Sequence, residues 1–131
     1  MEDKYGLGNH SDFWNNIDAA IFSVGGLFHE SDRIQNAISD AKTIDFLNTQ
    51  DVIGDLLGNF INRDGAEVIS KEDAITVSIP WDFFYRIPNR LCLAIGKEKA
   101  EFLIMAANKG LYTSLITDSH TAHEMLNHME G

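Results

Sequence analysis

The sequence predicts an α+β fold: N-terminal helices packed on one face of a small mixed sheet of about four strands. Three observations lead there. Apolar residues of the first half recur every three or four positions, the spacing of a helix that buries one face. From about residue 66 the period falls to two, the signature of a half-buried strand. The last part then runs strand, helix, strand, which suits a right-handed parallel crossover. With 131 residues, 44% of them hydrophobic, the chain is long enough for one domain with its own core and too apolar to stay disordered.

The elements follow in order. "SDFWNNIDAAIFSVGGLF" has an N-cap at Ser11 and sets Trp14, Ile17, Ile21, Val24 and Phe28 on a helical stripe. Gly25-Gly26 ends that helix early or admits a neighbouring backbone. "HESDRIQNAISDAK" starts again at Ser31 and keeps Ile34, Ala37, Ile38 and Ala41 on one side. In "TIDFLNTQDVIGDLLGNFINRDG", Val52, Ile53, Leu56, Leu57, Phe60 and Ile61 repeat at helical spacing. Gly65 stands where a C-terminal glycine belongs, and Thr49 offers a cap that would split off a short turn. Residues 1–65 are thus mainly helical on this reading.

Residues 66–117 supply the sheet. "AEVISKEDAITVSIP" reads as a hairpin about a Lys-Glu-Asp turn, with Ile75, Val77 and Ile79 on its buried face. "WDFFYRIPN" is an aromatic connector, "RLCLAI" an apolar strand, "GKEKAEFLIMAANKG" a helix closed by Gly110, and "LYTSLIT" a last strand. Residues 118–131 form a polar tail or helix. There is no repeat, linker or low-complexity segment.

Composition narrows the function classes. No apolar run is long enough to span a bilayer, and "MEDKYGLGNH" lacks the basic and apolar regions of a secretory signal. The single cysteine, Cys92, sits in an apolar run and reads as a core residue in a reducing, cytoplasmic protein. Net charge is −10, and residues 1–65 carry 11 acidic against 4 basic side chains. Such a field opposes direct contact with a nucleic-acid backbone. It favours a cationic partner, or simply keeps the protein soluble.

Two stretches hold the candidate site residues. In "IPWDFFYRIPNR", Trp81, Phe83, Phe84, Tyr85 and Arg86 are types enriched at binding hot spots. In "DSHTAHEMLNH", a helix would place His120, Glu124 and His128 at i, i+4, i+8, with His123 beside them. Those four could ligate zinc and activate a water. Their order is not the helical His-Glu-x-x-His signature, so a solvated helix end is the plainer reading. The Asp51–Asp55 pair reads as the wet side of an amphipathic helix, and His29-Glu30 as an acid–base neighbour pair whose side chains a helix would point in different directions. No phosphate loop or nucleophile elbow occurs.

The stretch "RLCLAIGKEKAEFLIMAANKGLYTSLITDSHT", residues 90–121, resembles the strand–helix–strand part of the archaeal and eukaryotic type of peptidyl-tRNA hydrolase. Gly110-Leu111 and "SLITDSHT" carry the likeness. It implies a hydrolase in which Asp118 and Thr121 act catalytically.

The leading expectation is therefore a small acidic binding protein without catalytic activity, such as an inhibitor or immunity-type protein. The alternative is a small hydrolase, working through the His cluster with a metal or through Asp118 and Thr121. No cofactor is expected. The expected partner is a protein, cationic if charge guides it, or a second copy in a homodimer; neither direct nucleic-acid binding nor a membrane is expected.

Overall fold

The computed structural model describes residues 11–26, 41–68 and 79–130. It is α+β, with strands divided between two sheets. Helix α1 (Ser11–Asn15) leads into strands β1 (Ala19–Phe22) and β2 (Val24–Gly25). Helix α2 (Ala41–Thr49) precedes β3 (Val52–Leu56), β4 (Asn59–Asn62) and β5 (Glu67–Val68). Helix α3 (Trp81–Arg86), β6 (Asn89–Leu93), α4 (Ala100–Lys109), β7 (Ser114–Ile116) and α5 (Ser119–Glu130) complete the order.

The strand–helix–strand reading of the second half holds. Strands β1, β6 and β7 form a parallel sheet in that order, and α4 makes the crossover from β6 to β7. Gly110 closes α4 in the left-handed conformation (φ 70°), as a C-terminal glycine does. Phe22, Cys92, Phe102, Leu103 and Ala106 share one core, so α4 covers the face of the sheet to which Phe22 and Cys92 point. Helix α5 packs against α4.

Two parts of the helical first half are corrected. Residues 11–28 were expected to form one helix, or one that Gly25-Gly26 ends early, yet among the described residues of that stretch only Ser11–Asn15 is helical. Ala19–Phe22 instead pairs with Asn89–Cys92, turning Ala20 and Phe22 inward and Ala19 and Ile21 outward. The helical spacing and the strand alternation coexist in "AAIF", and pairing with β6 selects the strand.

The second correction concerns Val52–Asn62, which is a hairpin. Leu57 (φ 53°) and Gly58 (φ 81°) both lie in the left-handed region, as a two-residue type I′ turn requires. Asp51 (φ 57°) breaks the chain from α2, and the Arg63 N–H donates to its carbonyl at 3.1 Å. Gly65 lies in a turn (φ 82°) rather than at a helix end. The antiparallel sheet is ordered β2-β3-β4-β5. The start at Ser31, Phe28 and most of the 66–80 hairpin lie outside the described residues.

Arg90 fastens the lower end of the parallel sheet. Its guanidinium donates to the carbonyls of Tyr85, Ile87, Gly110 and Leu111, and it lies over the rings of Phe84 and Tyr85. A planar five-donor group suits four backbone acceptors better than an ammonium would.

Candidate ligand site at the strand ends

In open parallel sheets, ligands bind in the crevice outside the carboxyl ends of the strands. Here β6 runs out through Ala94, Ile95 and Gly96 into a 3₁₀ turn, Lys97–Lys99, and then α4. Strand β7 runs out through Thr117 and Asp118 into α5. Backbone pairing continues past the strands, with Ala94 N–H donating to Ile116 at 3.1 Å.

A side-chain network joins the two exits. The Gly96 N–H donates to Thr121 Oγ1 at 2.8 Å, and the Thr121 N–H donates to Asp118 Oδ1 at 2.8 Å. Thr121 is only 1% exposed, so its hydroxyl needs such a partner. Asp118 caps α5, and the bonds from Thr121 hold its carboxyl below the usual carboxylate range. Gly96 sits at φ 137°, open to glycine alone, and a Cβ there would strike the Glu98 carboxylate.

The exit of β1 closes the third side. Gly26 approaches the same turn so nearly that an added Cβ would stand 2.7 Å from Glu98 Cγ. The Lys99 ammonium acts on both Asp55, on β3, and Cys92, on β6. Burial pushes the Asp55 carboxyl above its ordinary value, against the pull of a Gly58 N–H and Lys99. Burial likewise pushes the Cys92 thiol up to about 11, so it is an inert core group. Thr117 Oγ1 is buried and has no hydrogen-bond partner among the described residues.

A concavity lies along α4, away from the strand ends. It is a cleft of about 450 Å³, with Ile53, Ile104 and Met105 among Arg63, Glu101, Asn108 and His128. Arg63 pairs with both Glu101 and Asp51, so its charge is already met.

The sequence-derived candidates are distributed differently. Phe84 is fully buried against Phe22, ring centroids 5.3 Å apart. Trp81 donates to Glu67 at 2.7 Å, Phe83 leans on Trp14 at 5.7 Å, and Arg86 lies over Phe83. Tyr85 and Arg86 are exposed. On α5, Glu124 meets His128 at 3.5 Å, while His120 and His123 are exposed. Among the described residues, no three His, Cys, Asp or Glu side chains are placed to hold a metal. None of the helices described is long and apolar enough to cross a membrane.

Asp118 and Thr121 lie at the strand ends, whereas Gly96, Lys97, Lys99 and Thr117 were not singled out and Asp55 was read only as the wet side of a helix. The one sequence signal for Gly96, Lys97 and Lys99 is a Gly-Lys-Glu-Lys run between an apolar strand and a helix.

The family model described as "Putative sugar-binding domain" matches residues 3–127. The chain is 24% identical over 116 residues to the sorbitol operon regulator of Klebsiella pneumoniae, covering 88% of this chain and 37% of the regulator. That regulator's full-length structure superposes with a TM-score of 0.79 at 23% identity, over 92% of this chain and 40% of the regulator. A Streptococcus pneumoniae transcriptional regulator gives a TM-score of 0.83 at 20% identity, over 98% of this chain and 49% of that one. A DeoR family transcriptional regulator from Listeria monocytogenes gives 0.74 at 25%, over 85% and 45%. The chain spans less than half the length of each of these relatives.

These matches correct four expectations. The likeness to peptidyl-tRNA hydrolase rested on a crossover unit alone, whereas one family model runs nearly the length of the chain. The inhibitor or immunity-type binder also gives way to the family match; among the described residues, Asp51 and Asp55 are not on a helical surface, since Asp51 pairs with Arg63 and Asp55 is partly buried in a sheet. The hydrolase alternative falls with it, because Thr121 is buried in the exit network and Asp118 caps a helix. A basic protein or second copy as partner, with nucleic acid out of account, yields to relatives that regulate transcription.

Proposed function

Because this chain belongs to the sugar-binding domain family, we propose that it is the effector-sensing part of a cytoplasmic transcriptional regulator. It binds a sugar or sugar alcohol in the crevice at the carboxyl ends of β1, β6 and β7. Contact with DNA falls to other parts of a longer regulator, since an acidic domain repels a phosphate backbone.

The observation that carries this reading is the buried Thr117 hydroxyl, without a hydrogen-bond partner among the described residues, beside two strand exits joined by Gly96, Thr121 and Asp118. A polyol presents neighbouring hydroxyls that both donate and accept. Thr117 and Asp118 offer acceptors, and Lys97 and Lys99 offer donors on the facing turn. A ligand held between them would fix the 96–99 turn against the first turn of α5. That is how occupancy becomes a change of shape: the ligand favours whichever arrangement of the two exits it fits better.

Calorimetric titration with sorbitol and a panel of hexoses and pentitols tests it. The wild-type chain should bind at least one of them, and a hundredfold excess over Kd should stabilise the fold by about 2.7 kcal/mol. Lys99→Ala and Asp118→Ala should each weaken binding by roughly tenfold or more, as losing one polar contact does, while Arg63→Ala should not. Equal binding by all four proteins would place the ligand elsewhere, and no binding across the panel would overturn the reading.

A further inference from the structure

Two glycines leave room at the strand ends: Gly26 after β2 and Gly96 after β6. Without a Cβ, such positions let a ligand approach the backbone, as phosphates do in glycine-rich loops. Here a carboxylate of the chain itself stands in that place. The Glu98 side chain passes so near Gly26 that its Cγ would lie 2.7 Å from an added Cβ. Its carboxyl folds back against Gly96, and Glu98 is exposed. The backbone N–H groups nearby are satisfied from within. The Gly96 N–H donates to Thr121 Oγ1 at 2.8 Å, and the Lys99 N–H to the Gly96 carbonyl at 3.0 Å. On α5, the Thr121 N–H donates to Asp118 Oδ1 at 2.8 Å and the Ala122 N–H to the Asp118 carbonyl at 3.0 Å.

Phosphates in such folds are held by open backbone N–H groups at helix starts. At these exits the chain's own oxygens already accept from those groups. Charge points the same way. Asp55, Glu98 and Asp118 stand at the exits against Lys97 and Lys99, and the Lys99 ammonium already acts on Asp55. The whole chain is at −10, so its field opposes an incoming dianion. A phosphate ester carries about −1.5 to −2 at neutral pH, whereas a hydroxyl is uncharged and donates to carboxylates. We infer that this crevice selects the uncharged, hydroxyl-bearing end of a ligand and excludes a phosphorylated end, with Glu98 as the specificity-determining residue. A hydroxyl can donate to the Glu98 carboxylate where it lies. A phosphate must displace that carboxylate and still meets Asp118. The inference rests on the strand ends being the sugar site, and it adds which end of a sugar they accept.

Calorimetric titration with sorbitol, and with sorbitol phosphorylated at both ends, tests it. Should a pentitol bind where sorbitol does not, that pentitol and its doubly phosphorylated form replace them. The free polyol should bind at least roughly tenfold more tightly, because like charges brought together disfavour the other. The gap should narrow as salt is raised, since salt screens repulsion but not bulk. Glu98→Gln should narrow it at least roughly fivefold by removing one of the repelling charges. Because the first two readings use the wild-type chain, they hold even if the variant fails to fold. A doubly phosphorylated polyol that binds as tightly as the free one, or more tightly, overturns the inference and leaves the sugar site standing. A gap that neither salt nor a folded Glu98→Gln chain changes also overturns it, since bulk alone would then explain the preference. If no sugar or polyol binds at all, the sugar site itself falls and the inference falls with it.

Discussion

The segment Asn89–Glu130 and the segment Ala41–Val68 solve the same packing problem with opposite degrees of local agreement. In the first, each signal matches its neighbour. An apolar run pairs as a strand, Gly110 ends the helix it follows, and Asp118 caps the next. In the second, Val52, Ile53, Leu56, Leu57, Phe60 and Ile61 keep helical spacing, yet they form a hairpin. Periodicity counts only where the backbone between the apolar residues can take the matching conformation. Asp51 and Leu57 take positive φ, and a positive φ in mid-helix would end it.

That contrast can be sharpened at Leu57. A leucine in the left-handed region costs about 1–2 kcal/mol, and Asn-Gly is the favoured pair for this turn. Leu57→Asn should therefore stabilise the protein by about 1 kcal/mol, read as a higher denaturation midpoint with an unchanged slope. Were residues 52–62 helical, the same change would cost about 0.5 kcal/mol instead.

A smaller effect separates the two segments by pH. The Asp55 carboxyl, raised by burial, holds its proton more tightly in the folded chain than in the unfolded one. Its contribution is fully present below the unfolded value of 3.8 and is lost as pH rises through the folded value. Asp55→Asn should remove that decline, so its melting temperature should exceed that of the wild type at neutral pH and converge with it in acid. Asp118, lowered by its bonds from Thr121, contributes in the opposite sense: its share is present above 3.8 and lost in acid. A wild-type advantage over Asp55→Asn that grew with pH would contradict the burial of Asp55.

The same division explains what was legible. The α+β class and the β6–α4–β7 unit follow from local pattern, because this crossover confines its signals to residues 89–116. The β1–β6 pairing joins residues 70 apart, as at Ala19 and Asn89, and nothing near Ala19 announces it. The strand-end network is similar: Thr121 is explained only by Gly96, 25 residues earlier. The turn at Leu57-Gly58 was readable in "DLLGNF" from the glycine, but the apolar spacing masked it. The aromatic run at Trp81–Arg86 drew notice because of its composition, whereas its Phe84 fills the core.

The proposed ligand site is the strand ends and not the cleft along α4. Amide NMR of the labelled chain, saturated with whichever sugar the titration selects, tests this most directly. The largest shifts are expected at Gly96, Lys97, Thr117, Asp118 and Thr121, with Arg63, Glu101, Asn108 and His128 little changed. Shifts concentrated at Arg63, Glu101, Asn108 and His128 would contradict it.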